Sequence, residues 1–189
     1  MLSNLLASFV LIYRNSIGLI LRPYQTMRVI ATTTDTAQIM IILTLVGIYQ
    51  LISATDTVIW TAGLFFSTIV FIALSNAIRF HRSNFSRVAQ LMVYTLIPTL
   101  VWFFVSAALN LVLPPPRTSS ILGKGLSLLY IAFSISILFW KIILSFLAIR
   151  FAGKFSFYAA LAVLGIYTGT IFFLIFQTLH TGWLSVPFI

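Results

Sequence analysis

The chain has 189 residues, of which 61% are hydrophobic and 7% charged, and its mean hydropathy is +1.12. A soluble domain carries about 25% charged residues, so water is not the main solvent and a single membrane domain accounts for the length. The net charge of +9 comes without a continuous basic patch interleaved with aromatics, which argues against nucleic acid, and the lack of cysteine excludes disulfides, thiolate metal sites and cysteine nucleophiles.

The N-terminus lacks the basic region and small-residue cleavage site of a signal peptide, and Arg14 and Asn15 interrupt its apolar run. Residues 2–21 are amphipathic instead. Leu2, Leu5, Leu6, Phe9, Tyr13, Ile17 and Ile20 recur at helical spacing, while Ser3, Asn4, Ser8, Arg14 and Asn15 take the other side. Such a polar face predicts a helix lying in the membrane interface, the alternative being an additional span. Pro23 suits the first turn of a second short helix, where its missing N–H costs nothing. Tyr24, Met27, Ile30 and Ala31 form its apolar edge, and Arg22 and Arg28 its basic one. Residues 1–34 thus read as N-terminal interfacial amphipathic helices, a collar on anionic lipid headgroups, and 35–189 as the transmembrane domain.

Five spans are predicted in that domain. The first covers 36–54 and is capped by Asp35, as the positive end of a helix dipole favours. The second covers 57–78 after a tight turn in which Asp56 can cap. A basic loop follows, whose Arg79, Arg82 and Arg87 are expected, with Arg14, Arg22 and Arg28, to contact lipid headgroups. The third span, 88–113, contains Pro98, which removes one helical hydrogen bond and frees the carbonyl of Tyr94. Pro114, Pro115, Pro116 and Arg117 open a stiff extended loop. The fourth span, 126–151, carries Lys141, and the fifth covers 156–179 before a tail with Trp183 at an interface. With the N-terminus in the cytoplasm, that side receives Arg14, Arg22, Arg28, Arg79, Arg82, Arg87, Arg150 and Lys154, and the outside only Arg117 and Lys124. This follows the positive-inside rule. It puts the C-terminus outside, although a six-span arrangement preserves the same bias.

Lys141 is the sharpest single feature. At about 1.5 Å per residue it lies roughly 15 Å from the Phe151 end, too deep to snorkel comfortably, and a central lysine costs on the order of 2.5–3.5 kcal/mol to insert. Ser134, Leu138, Lys141, Ser145 and Ala148 share one helix face, and Phe139, Ile143 and Phe146 the opposite one. The lysine is therefore expected to face protein, with the second face in lipid. Depth matches it to the freed Tyr94 carbonyl beside Pro98, and Asn76, Gln90 and Asp35 are further candidates in the inner half. Its reading is either a structural lysine satisfied by neighbouring oxygens or a solute or proton site. In the fifth span Gly165 and Gly169, preceded by Ala162 on nearly the same face, allow close helix packing, within the chain or between two copies.

Enzymatic machinery is not expected. The two acids, Asp35 and Asp56, fall at opposite membrane faces, as do His81 and His180, so neither an acid/base dyad nor a histidine metal site forms. Gly123, Lys124 and Gly125 lack the rest of a phosphate-binding loop. No cofactor or metal is implied.

The order and spacing of several residues resemble the Yip family, the Ypt/Rab-interacting integral membrane proteins with a Yip-one domain, in its short prokaryotic form. They are Arg22 and Pro23 with the basic helix through Ala31, Tyr94 and Pro98, Phe139 and Trp140 with the run to Arg150, and Ser156 ahead of Ala159 and Ala160. The resemblance covers about residues 20 to 180. It implies a five-helix domain with a cytoplasmic N-terminus and a C-terminus outside, in the inner membrane of a prokaryote. Eukaryotic members bind small GTPases in vesicle traffic. This chain lacks their Asp-Leu-Tyr-Gly-Pro motif and has only a short segment ahead of the matching region, which argues against a GTPase partner. The expected function is a membrane scaffold or adaptor binding lipid or protein partners, with possible homo-oligomers. The alternative is a small-solute or ion permease using Lys141 and the Pro98-broken third span.

Overall fold

The computed structural model describes residues 2–53, 85–112 and 120–180, and every regular element among them is an α-helix. They are α1 Leu2–Leu21, α2 Pro23–Ile30, α3 Thr36–Ser53, α4 Phe85–Tyr94, α5 Ile97–Val112, α6 Ile121–Gly153 and α7 Phe157–His180. The expected second span 57–78 with Asp56 and Asn76, the loop residues Arg79, His81 and Arg82, the stretch 114–117 and the tail with Trp183 lie outside the described residues. Among the described residues, two helical stretches are long and apolar enough to cross a membrane, Ser86–Leu109 and Ile121–Gly153. At about 1.5 Å per residue the second measures roughly 50 Å against a hydrocarbon core of about 30 Å.

Local chemistry explains where the helices stop. Between α1 and α2 the chain turns at Arg22, whose φ of −144° is not helical, and Pro23 supplies a ready-made helical φ for the first turn of α2. The two helices approach so closely that a Cβ on Gly18 would lie 2.6 Å from Thr26 Oγ1. Between α4 and α5 the chain tightens into i→i+3 bonds, Thr95 N–H to the Met92 carbonyl and Leu96 N–H to that of Val93, both at 3.0 Å. Pro98 then falls in the first turn of α5, where its ring does not clash. The third apolar stretch is therefore two helices joined by a tightened turn at Thr95 and Leu96.

Helix α6 starts earlier than its apolar run suggests. Ser120 caps it by accepting a hydrogen bond from Gly123 N–H at 3.0 Å, which draws Gly123, Lys124 and Gly125 into the first turns instead of leaving them as a loop. Its C-terminus closes on Lys154 in the left-handed conformation, φ 51°, and the Phe155 N–H reaches the Arg150 carbonyl at 3.2 Å. The Phe155 ring folds back onto Gly153 so tightly that a Cβ there would collide with it.

Burial concentrates where α2, α3, α4, α6 and α7 converge, around Met27, Ile30, Ile42, Leu91, Leu144 and Ala160. Beyond that knot the N-terminal half of α6 presents Leu128, Leu129, Ile131, Ile135 and Phe139 to the exterior. Two face assignments made from the helix wheel change. Leu138 is 52% exposed instead of inward. Phe146, expected in lipid, packs edge-on against Phe157 of α7 with ring centroids 5.4 Å apart. The wheel gives a face but not which neighbour meets it: α7 returns beside the C-terminal part of α6 and partly covers Phe146.

Candidate functional site

A closed hydrogen-bond network joins α1, α3 and α4. Asp35 stands just ahead of α3, and its Oδ1 accepts from Ala37 N–H at 2.9 Å, the geometry of an N-cap. Its Oδ2 accepts from the Ser8 hydroxyl at 2.8 Å and from Gln38 Nε2 at 3.0 Å. The Asp35 N–H donates to Gln90 Oε1 at 3.0 Å, and Gln90 Nε2 donates to Gln38 Oε1 at 3.4 Å. The Tyr94 hydroxyl donates to the same Gln38 oxygen at 2.6 Å while accepting from Asn15 Nδ2 at 3.0 Å. Ser8, Gln38, Gln90 and Tyr94 are all buried. Spacing makes this possible: Asp35 and Gln38 sit three apart at one helix start, and Gln90 and Tyr94 four apart on one face of α4.

Burial alone would raise the Asp35 pKa. The hydrogen bonds from Ser8, Ala37 and Gln38 outweigh it and hold the carboxyl below its ordinary value. Asp35 is thus a charged hub whose acceptor sites are filled by protein donors.

A second set of contacts zips α5 to α6. Lys141 Nζ donates to Thr99 Oγ1 at 3.0 Å, Trp102 Nε1 to Ser134 Oγ at 3.0 Å, and Ser106 Oγ lies 2.6 Å from the Tyr130 hydroxyl. Residue numbers rise on α5 as they fall on α6, so the two helices are antiparallel. The Trp102 and Tyr130 rings lie beside these bonds, 6.3 Å apart.

Lys141 therefore meets Thr99 and not the Tyr94 carbonyl expected from depth matching. Side chains on a helix lean toward its N-terminus. For α6 that direction runs along α5 away from Tyr94, which carries the amine to a residue five positions later. Tyr94 and Gln90 belong to the first network through their side chains, and Pro98 lies in the first turn of α5 between the two sets. The structure thus divides the expected polar site in two, and Asn76 is outside the described residues. Ser8, Asn15, Gln38 and Thr99 are partners that the sequence reading left out. Gln38 could have been flagged, as a long polar side chain inside an apolar run and one turn after a capping acid.

Of the expected headgroup contacts, Arg14, Arg22 and Arg28 are exposed. Arg87 is only partly exposed, and its Nε is enclosed without a hydrogen-bond partner. Arg79 and Arg82 lie outside the described residues. Arg150 stacks over the Tyr24 ring at 5.8 Å, and Tyr24 meets Phe151 edge-on at 5.2 Å, which ties α2 to the end of α6. Ala162, Gly165 and Gly169 are exposed, and a Cβ on either glycine would meet nothing within 4 Å. Among the described residues, nothing packs against the two glycines on this face of α7.

The polar side of α1 is turned inward. Ser8 and Asn15, assigned from the pattern to headgroups and water, bond to Asp35 and Tyr94, while Leu6, Phe9, Val10, Tyr13, Ile17 and Ile20 are exposed. Trp140 Nε1 reaches the Leu19 carbonyl at 3.3 Å, satisfying one of the carbonyls left over at the end of α1. Comparison with known proteins found no matching family model, no matching curated protein and no matching solved structure.

Proposed function

We propose that this chain is a multi-pass integral membrane protein, a non-enzymatic scaffold or adaptor of the Yip type, which holds a basic cytoplasmic collar against anionic lipid headgroups. The observation that carries the reading is the pairing of an apolar exterior on α6 and α7 with interior polar groups that bond to one another across helices. In hydrocarbon every polar group needs an internal partner, and a network with its acceptors filled by protein acts as a clamp. Five spans, an N-terminus in the cytoplasm of a prokaryotic inner membrane and a C-terminus outside agree with the charge bias. The collar is Arg14, Arg22 and Arg28 with Arg150 and Lys154.

The test is reconstitution into vesicles of neutral phosphatidylcholine with and without anionic phosphatidylglycerol, followed by lipid exchange and co-purification. Anionic lipid should be retained, and Arg22→Gln with Arg28→Gln should reduce that retention. Equal retention of both lipids by the native protein would overturn the collar.

The second reading, a permease subunit, draws on Lys141, whose hydrogen bond goes to one neutral hydroxyl. A Lys141→Cys variant of this cysteine-free chain should react with a polar thiol reagent if water reaches the position. Protection throughout favours the scaffold.

A further inference from the structure

The polarity of α1 is arranged the opposite way from that of a helix floating at a membrane surface. At about 100° per residue, Leu6, Phe9, Val10, Tyr13, Ile17 and Ile20 fall within an arc of roughly 100°. Ser8 and Asn15 lie on the far side of the helix, together with the buried Ile12 and Leu19. Those two polar side chains are consumed by Asp35 and Tyr94. A surface helix needs a polar face for water and an apolar face for lipid. Here Ser8 and Asn15 of the polar face are engaged by protein, and the apolar arc is what meets the surroundings.

We infer that the outer face of α1 is immersed in lipid acyl chains, with the Asp35 network holding the polar side of the helix against the bundle. This rests on the membrane reading above. Three observations favour acyl chains over a protein partner. The arc repeats the exposed aliphatic and aromatic chemistry of Leu129, Ile135 and Phe139 on α6 and of Leu161 and Phe172 on α7. Its side chains are aliphatic and aromatic with no acid or amide among them, so it offers a protein partner no charge complementarity. Arg14, the charged residue beside it, is exposed at the edge of the arc, where its long stem can carry the guanidinium up to headgroup phosphates.

The chain has no cysteine, so single spin labels can be placed at will on the full-length protein in vesicles. Labels at Phe9, Tyr13 and Ile20 should collide with oxygen, which partitions into lipid, several-fold more than with a water-soluble nickel chelate, relative to a label at exposed Thr33. Labels at Ile135 and Phe139 report the membrane reading independently. If the α6 labels show the lipid signature and the α1 labels show high nickel accessibility, the inference fails while the membrane reading stands. If both sets show nickel accessibility, the membrane reading fails. Shielding of the α1 labels from both agents, with spin–spin broadening between copies, assigns the face to a second copy and also overturns the inference. A second variant, Asn15→Leu, should increase mobility of the label at Tyr13 without altering those on α6; unchanged mobility there would remove the clamping role.

Discussion

Removing one oxygen from the centre of the Asp35 network is the most direct test of it. Tyr94 is fully buried, and its hydroxyl both donates to Gln38 Oε1 at 2.6 Å and accepts from Asn15 Nδ2 at 3.0 Å. Tyr94→Phe keeps the ring and its packing and deletes both bonds. A net hydrogen bond contributes about 1 kcal/mol in proteins generally and about 0.6 kcal/mol between membrane helices. The part-buried Asn15 amide also loses its acceptor, which adds a fraction of the about 1–3 kcal/mol that a fully buried unsatisfied group costs. Gln38 keeps its 3.4 Å contact with Gln90, which limits the loss on that side. The expected destabilisation is about 1.5–3 kcal/mol, measured by equilibrium unfolding in mixed micelles of a mild detergent and dodecyl sulfate. Asn15→Ala alone should cost about 1 kcal/mol, and the double variant should fall short of additivity by about 0.5–1.5 kcal/mol because both remove one shared bond. A Tyr94→Phe protein within about 0.5 kcal/mol of the parent, with additive effects at Asn15, would refute the network as drawn.

Thr99→Val should destabilise the chain by about 1–3 kcal/mol, since it strips the acceptor from Lys141. Adding Lys141→Met should restore most of that loss in the same unfolding assay, because an apolar pair avoids a stranded charge. Gly153→Ala should lower thermal stability through collision with the Phe155 ring, whereas Lys154→Gly should raise it by about 1 kcal/mol by relieving a left-handed backbone; differential scanning in detergent separates the two. Asp35 has a lowered folded-state pKa, so its contribution is complete above the ordinary value of about 4 and lost as pH falls through the lower folded value. Fluorescence from a probe on α1 should therefore be flat from neutral pH to about pH 5 and change only below about pH 4. Asp35→Asn should remove that acid transition.

The helices themselves were legible in the chain because their causes are local. An apolar run sets a helix that shuns water, Pro23 and Asp35 mark starts, and Pro98 marks a break. These signals located α2, α3 and the break between α4 and α5, and they identified Lys141 as a polar group needing a protein partner; Tyr94 was singled out for its carbonyl, whereas its hydroxyl is what bonds in the network. Local signals do not specify what lies across from a side chain. Ser8 and Asn15 formed a polar stripe compatible with water or protein, and only the docking of α1 beside Asp35 and Tyr94 decided between them. Lys141 was matched to Tyr94 by depth, but antiparallel packing and the lean of side chains toward the α6 N-terminus carry it to Thr99. Phe146 was assigned to lipid from the wheel, and the return of α7 places Phe157 against it instead. Composition and periodicity determined what each residue needs. Tertiary structure decided which neighbour supplies it, because that depends on helix direction and approach, which are set by the packing of the whole chain.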